Sequence, residues 1–156
     1  MARALRILFI TVFIGYVLSL ASVYFSYIEP YLFPLRLIQG SAREINERII
    51  IGPYPHLSDI EKLVKVNGVE VVISLLNPSL PFEESLLRKE KEILSKMGIR
   101  FYNVPFSFIS LNSKENERAV EKVRRILSRE RGKKVYIHCY LGRHRVGFLV
   151  EKLLRK

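Results

Sequence analysis

The chain has 156 residues, with 26 lysines and arginines against 15 acidic residues, and a formal net charge of +11. Its length accommodates one domain with an appendage, and its single cysteine excludes an intrachain disulfide framework. The charge favours an anionic partner, but a zinc-ligand cluster, a helix-turn-helix signature and an aromatic RNA-binding motif are all missing from the sequence, so nucleic acid is not expected.

A segment near the N-terminus is long and apolar enough to cross a membrane. Ile7 to Ile28 carry no formal charge, and a helix rising about 1.5 Å per residue would span the roughly 30 Å hydrocarbon core. We therefore predict a single-pass anchor over residues 1–28. A cleaved signal peptide is the alternative, but its apolar region is only about 7–15 residues long, and no clear Ala-x-Ala site is present.

The charges flanking this segment do not decide its orientation. Arg3 and Arg6 favour a cytoplasmic N-terminus, whereas the arginines beyond the segment favour the opposite. A short tail with two arginines commonly stays inside, while a thiolate enzyme is better suited to a reducing compartment. The side of the membrane therefore stays open. The arginines beyond the segment are Arg36, Arg43 and Arg48.

Two prolines, Pro30 and Pro34, prevent simple continuation of the anchor helix, so residues 29–45 are predicted to be a juxtamembrane linker. A globular domain is predicted over 46–156. Apolar strand-like runs alternate there with amphipathic helices, which indicates an α/β fold with a small, mainly parallel sheet flanked by helices. The predicted strands are 48–51, 70–76, 99–104 and 133–138, and the predicted helices are 58–66, 83–97, 112–131 and 148–154.

The most informative stretch is His-Cys-Tyr-Leu-Gly-Arg-His-Arg-Val-Gly at 138–147, between the last strand and the last helix. A tight loop leading into a helix points consecutive N–H groups inward, and the helix dipole adds partial positive charge, which makes an anion cradle. These dipoles favour the thiolate of Cys139. Arg145 can hold a phosphate through two parallel hydrogen bonds. The pattern indicates phosphoryl transfer through a cysteine.

These residues resemble the His-Cys-x5-Arg active-site loop of the cysteine-based protein tyrosine and dual-specificity phosphatases. They are most similar to the His-Cys-x-x-Gly-Lys-His-Arg-x-Gly form of the plant-and-fungal atypical dual-specificity group, which includes phosphatases acting on inositol pyrophosphates. The resemblance implies a dual-specificity phosphatase-like fold, with Cys139 as nucleophile, Arg145 as transition-state stabiliser and His138 as a residue that orients the loop. It implies neither a metal nor a cofactor. The implied phosphate cradle consists of Tyr140, Leu141, Gly142, Arg143, His144, Val146 and Gly147.

The sequence departs from that family at two points. Val146 stands where relatives carry Ser or Thr, whose hydroxyl helps to expel the thiolate from the intermediate. The loop 104–112 has no carboxylate, although relatives usually carry an aspartate general acid there. Asp59 and Glu115 are the remaining candidates for that acid. A missing acid favours substrates with good leaving groups, such as phosphoanhydrides or activated aryl phosphates.

We therefore expect a membrane-anchored, metal-independent phosphatase that hydrolyses phosphate esters or phosphoanhydrides through a thiophosphate intermediate. Its substrate would be a phosphorylated protein, an inositol phosphate or a lipid, and the oligomeric state is open. The alternative is a catalytically weak phosphatase-like module that binds anionic ligands at the membrane. The two departures support this alternative, and the intact Cys139 and Arg145 oppose it.

Overall fold

The computed structural model describes residues 2–32 and 38–154, so Pro34 and Arg36 lie outside the described residues. A five-stranded sheet has the order β1-β2-β5-β3-β4. Strands β2, β5, β3 and β4 pair in parallel, and β1 is antiparallel to β2. The predicted mainly parallel sheet is therefore confirmed. The strands are β1 (Arg43–Glu44), β2 (Ile49–Gly52), β3 (Val69–Ser74), β4 (Arg100–Asn103) and β5 (Lys134–His138).

Helices cover both faces of this sheet, and the predicted α/β architecture is confirmed. The last helix begins at His144, four residues before the apolar pattern that predicted it, because its first turn carries the polar motif residues. The helices are α1 (Ala2–Val23), α2 (Phe25–Ile28), α3 (Leu57–Lys65), α4 (Pro81–Lys96), α5 (Lys114–Arg129) and α6 (His144–Leu154), with a 3₁₀ turn at Glu29–Tyr31.

Two buried apolar clusters hold the layers together. On one face, α3 and α4 pack against the sheet through residues such as Ile60 and Leu94. On the other, α5 and α6 pack against it through residues such as Val123 and Leu149. Strand β3 lies between β5 and β4 and, apart from Glu70, is buried on both faces, which explains why its sequence is a nearly continuous apolar run.

The segment between the apolar helix and β2 contributes to the sheet. In β1, Arg43 is opposite Ile51 and Glu44 is opposite Ile50. Both β1 residues are exposed and charged, so neither shows the apolar alternation by which strands are recognised in a sequence. Residues 43–44 thus add an edge strand within the stretch 29–45 that the sequence predicts to be a linker.

Helix α1 exposes its apolar side chains. Among the described residues, Arg3–Val23 is the one helix that is long and apolar enough to cross a membrane, and a signal sequence would meet the same criterion. Directly after it, α2 packs against α4: the Phe25 and Phe82 rings lie 5.6 Å apart. The Ser85 hydroxyl donates to the hydroxyl of buried Ser26 at 2.8 Å. The end of the apolar helix is therefore fixed to the domain.

A buried carboxylate connects β4, the end of α5 and the start of β5. Glu130 is 2% exposed and accepts hydrogen bonds from Arg100 at 2.6 Å and from the Tyr102 hydroxyl at 2.7 Å. The Lys133 ammonium lies 3.4 Å away. The hydrogen bond from Arg100, followed by that from Tyr102, lowers the pKa of the Glu130 carboxyl from 4.5 to about 2.

This shift predicts the acid stability of the fold. Because the pKa of Glu130 is lowered on folding, its contribution is complete above a pH of about 4.5 and is lost as the pH falls toward about 2. Glu130→Gln should therefore lower the Tm at neutral pH, and the difference from the unmutated chain should shrink between pH 5 and pH 3. Thermal unfolding of the full chain in detergent, followed by circular dichroism, measures this.

The matched control is Glu92→Gln, because Glu92 pairs with Lys96 on the exposed face of α4. Exposed pairs contribute little to stability, so this variant should unfold like the unmutated chain. A Tm difference for Glu130→Gln that stays constant with pH would contradict the assignment.

Candidate active site

The fold brings Cys139 and Arg145 together at the carboxyl end of β5. Cys139 follows β5 directly and is 2% exposed, while Arg145 lies in the first turn of α6 and is 5% exposed. Both line a cleft of about 390 Å³. This is the edge at which parallel α/β sheets bind their ligands. The other lining residues are Phe82, Glu83, Phe108, Leu111, Tyr140, Leu141 and His144.

Gly142 allows the loop between Cys139 and Arg145 to turn. Its φ is +67°, a conformation that favours glycine. A Cβ on Gly142 would lie only 2.3 Å from the backbone nitrogen of Pro53. Gly142 is therefore required by the backbone of the loop. Gly147, by contrast, has no positive φ, and an added Cβ there would meet no atom within 4 Å.

Neighbouring segments hold the loop by its carbonyl groups. The Tyr54 N–H donates to the Tyr140 carbonyl at 3.1 Å, and the Gln39 side-chain amide donates to the same oxygen at 3.3 Å. The Gly40 N–H donates to the Leu141 carbonyl at 2.8 Å. These hydrogen bonds to the Tyr140 and Leu141 carbonyls tie the loop to residues 39–40, which precede β1, and to Tyr54, which follows β2.

Glu83 binds the side chain of Arg145. The two guanidinium nitrogens donate to the two carboxylate oxygens at 2.9 and 2.5 Å, and one also donates to the Leu75 carbonyl at 3.1 Å. Burial alone would lower the pKa of Arg145, but the hydrogen bonds and charge of Glu83 outweigh burial and raise it. Arg145 therefore stays charged in a fixed orientation beside Cys139.

Glu83 itself is fixed at the start of α4. Its carboxylate also accepts a hydrogen bond from the Asn77 N–H at 2.5 Å, and the residue is 1% exposed. The sequence analysis missed Glu83, because it lies 62 residues before Arg145. An acidic residue in the first turn of a helix is common, since it interacts favourably with the helix dipole, so its position alone does not indicate a partner.

The loop after β4 forms another wall of the cleft. Buried Asn116 holds it: the side-chain oxygen accepts from the Ser107 N–H at 2.8 Å, and the amide donates to the carbonyls of Ser107, Ser110 and Leu111 at 2.9 to 3.1 Å. The loop contributes Phe108 and Leu111 to the cleft. Backbone groups of Ser107, Ser110 and Leu111 bind Asn116, and the side chains of Phe108 and Leu111 face the site.

Neither candidate for the general acid lies in this cleft. Asp59 is in the first turn of α3, where its carboxylate accepts a hydrogen bond from the His56 N–H at 3.1 Å. Glu115 is an exposed residue in the first turn of α5. Among the described residues that line the cleft, Glu83 is the one carboxylate. The structure therefore does not bring Asp59 or Glu115 together with Cys139.

Apart from the two glycines, the predicted cradle residues divide into three groups. Tyr140, Leu141 and His144 line the cleft. Arg143 is exposed outside the lining. Val146 is fully buried in the apolar cluster beneath α6, so its side chain serves the packing of the core. Within residues 2–32 and 38–154, no group of three His, Cys, Asp or Glu side chains is placed to hold a metal ion.

His138 lies on the opposite face of the sheet from Cys139, within a buried polar cluster. Its ring stacks on Tyr136 at 5.6 Å and meets the Tyr54 ring edge-on at 5.9 Å. The Nε2 atom lies 2.7 Å from a carboxylate oxygen of Glu90, and both side chains are 0% exposed. Burial, followed by the charge of Glu90, raises the pKa of both tyrosines. Glu90 is a second residue that the sequence analysis missed.

Comparison with solved structures identifies the fold. A candidate phosphatase (DUF442) from Shewanella putrefaciens CN-32 superimposes with a TM-score of 0.57 at 22% sequence identity, covering 74% of this chain and 71% of that one. The core catalytic domain of the PP-IP phosphatase SIW14 from S. cerevisiae, in complex with citrate, gives a TM-score of 0.57 at 20% identity, covering 74% and 67%. No family model and no curated protein matches the sequence.

The chain therefore shares its fold with these two phosphatases, and the phosphatase-like fold implied by the active-site motif is confirmed. In particular, the chain is similar to the catalytic core of a PP-IP phosphatase and to a bacterial candidate phosphatase.

The buried pair of His138 and Glu90 yields a prediction. The Glu90 carboxylate lies 2.7 Å from the His138 ring and holds it in place, and His138 directly precedes Cys139, so the pair positions the start of the loop that carries the thiol. Glu90→Gln should slow the alkylation of Cys139 by iodoacetamide at pH 6 by about tenfold, since interactions with charged groups contribute about 1.5–3 kcal/mol. Mass spectrometry of the single cysteine measures the rate.

Glu84→Gln is the matched control, because Glu84 lies on the exposed face of the same helix. That variant should react like the unmutated chain. Equal alkylation rates for the Glu90 and Glu84 variants would show that Glu90 does not act on the nucleophile.

Proposed function

We propose that the protein is a membrane-anchored, metal-independent phosphatase that hydrolyses phosphate esters or phosphoanhydrides through a cysteinyl-phosphate intermediate. One observation carries this proposal: Cys139 and Arg145 line the same cleft at the carboxyl end of the sheet. The fold shared with cysteine-based phosphatases supports it.

In the first step the Cys139 thiolate attacks the substrate phosphorus. A P–S bond forms, the bond to the leaving oxygen breaks, and that oxygen departs with the electron pair. Arg145 binds the equatorial oxygens and stabilises their charge in the transition state. Because Glu83 holds the guanidinium in place, little reorganisation is needed when the phosphate arrives.

In the second step water attacks the phosphorus and releases inorganic phosphate and the thiolate. Val146 has no hydroxyl with which to stabilise the departing sulfur, so this step depends on the loop amides and on the buried pair of His138 and Glu90. The N–H groups of Tyr140 to Arg145 and the start of α6 complete the phosphate cradle. Asp59 and Glu115 remain proposals for the general acid only if the substrate or a motion brings them to the cleft.

Membrane attachment through residues 7–28 is part of the same proposal. The length and composition of α1 support a single-pass anchor, and its side chains are free of contacts that would bury them in the domain. The side of the membrane on which the domain lies is left open, because arginines flank both ends of the apolar segment.

A single assay tests the catalytic part. The full chain in detergent should release p-nitrophenol from p-nitrophenyl phosphate in the presence of a chelator, and Cys139→Ser should abolish the release, because an alcohol does not form the thiophosphate. Trapping of phosphorus-32 on the unmutated chain after an acid quench would identify the intermediate. Phosphate binding without turnover would instead favour the binding module.

Alkaline carbonate extraction tests the anchor. The full chain should stay in the membrane pellet, whereas the double variant Ile10→Arg with Phe13→Arg should be released, since each arginine at the bilayer centre costs about 2.5–3.5 kcal/mol. Leu57→Arg is the matched control, because Leu57 is an exposed apolar residue of the domain, and this variant should stay in the pellet. Release of the unmutated chain, or a form trimmed near Ala21, would contradict the anchor.

A further inference from the structure

We propose that the substrate of the Cys139 cleft is a membrane lipid whose headgroup ends in a diphosphate. Such a substrate combines an apolar tail with the phosphoanhydride bond that is cleaved. This inference rests on the proposed phosphatase function and names the substrate class of that site. It is derived from the position of the cleft, the character of its walls and the side chains available to donate a proton.

The cleft lies directly beside the end of the apolar helix. Phe25, two residues after α1 ends, packs edge-on against Phe82 at 5.6 Å and against Tyr140 at 6.1 Å. Phe82 and Tyr140 both line the cleft. The residue that follows the apolar helix is therefore in contact with the wall of the site, and the anchor proposed for α1 would place the cleft next to the bilayer surface.

The mouth of the cleft is apolar. Phe108 is 52% exposed and lines the site, and its neighbour Ile109 is 85% exposed. Asn116 fixes the backbone of this loop, so the two apolar side chains are held outward. Leu111 and Leu141 extend the apolar lining inward. Adjacent exposed apolar residues at a cleft suit contact with lipid tails, whereas an inositol ring would leave this surface uncovered.

Among its described lining residues, the same cleft has no carboxylic acid available to donate a proton. Its carboxylate, Glu83, is bound through both oxygens by Arg145, and the loop 104–112 contains no Asp or Glu. An alkoxide leaves poorly without a proton. The phosphate group that departs from a diphosphate is already a good leaving group, so a lipid diphosphate needs no acid where a lipid monophosphate does.

The reaction balances without a further reactant. The thiolate of Cys139 attacks the terminal phosphorus, the bond to the bridging oxygen breaks, and the lipid monophosphate leaves with the electron pair. Water then attacks the phosphorus, the P–S bond breaks, the thiolate returns, and the products are inorganic phosphate and one lipid monophosphate. The proton from water is shared between these products and solvent.

The experiment uses the full chain reconstituted in phosphatidylcholine vesicles. Phosphate release is measured from five substrates: diacylglycerol pyrophosphate, phosphatidic acid, inorganic pyrophosphate, an inositol pyrophosphate and a phosphotyrosine peptide. The lipid diphosphate should have a kcat/KM at least about tenfold above each of the others, because only it combines the tail with the anhydride. Phosphatidic acid has the apolar tails but an alkoxide leaving group, so it tests the need for the anhydride. Inorganic pyrophosphate has the anhydride but no tail, so it tests the need for the tail.

Paired variants test the mouth of the cleft. Ile109→Ser should raise the KM for diacylglycerol pyrophosphate by about tenfold, the effect of removing one aliphatic side chain from an apolar environment. Val66→Ser is the matched control, because Val66 is 74% exposed and lies between α3 and the start of β3. This is the amino end of the strands, whereas the cleft is at their carboxyl end. The control variant should leave this KM unchanged. Circular dichroism shows that each variant folds.

Two results would overturn the inference while leaving the proposed function intact: faster turnover of any of the other four substrates, or an unchanged KM in Ile109→Ser. A chain that releases no phosphate from any substrate, with p-nitrophenyl phosphate also unreactive, would overturn the proposed function together with the inference.

Discussion

The buried pair of Arg145 and Glu83 is the interaction on which the site depends. An isolated guanidinium in the interior would lose its hydration at a large cost in free energy. The pairing offsets that cost only because both terminal nitrogens of Arg145 donate to both carboxylate oxygens of Glu83. The pair joins the start of α6 to the start of α4, on opposite faces of the sheet. It therefore fixes the position of the loop between Cys139 and Arg145 relative to both helical layers, while it keeps a positive charge beside the nucleophile.

The second constraint comes from the N-terminal part of the chain. Gln39 and Gly40 bind carbonyl groups of the active-site loop, and Phe25 packs on Tyr140. The segment that follows the apolar helix is thus part of the support for the catalytic loop, which gives the end of that helix and the phosphate site a fixed spatial relation. In the proposed function, this relation connects membrane attachment with the choice of substrate, since both depend on residues that touch the same wall of the cleft.

The missing acid and the apolar mouth have a common origin in the loop after β4. That loop is fixed by Asn116 through four hydrogen bonds, and it presents Phe108 and Ile109 where an acidic side chain would serve an ester substrate. This loop therefore contributes apolar contact area to the cleft but no carboxylic acid that could donate a proton. A substrate with a good leaving group does not need the absent acid, and a substrate with an apolar tail makes use of the apolar contact area.

Much of this protein could be predicted from local patterns. The continuous apolar run of β3, the amphipathic faces of α4 and α5, and the strand-loop-helix around Cys139 all depend on residues close in sequence, so the α/β fold and the position of the Cys139 loop at the end of a strand were predicted. The edge strand Arg43–Glu44 was not, because two exposed charged residues carry no periodic signal. The partners of the motif were decided by the tertiary structure: Glu83 and Glu90 are distant in sequence from Arg145 and His138. A sequence shows which side chains are ionisable, but only packing determines which of them lose water together and must pair.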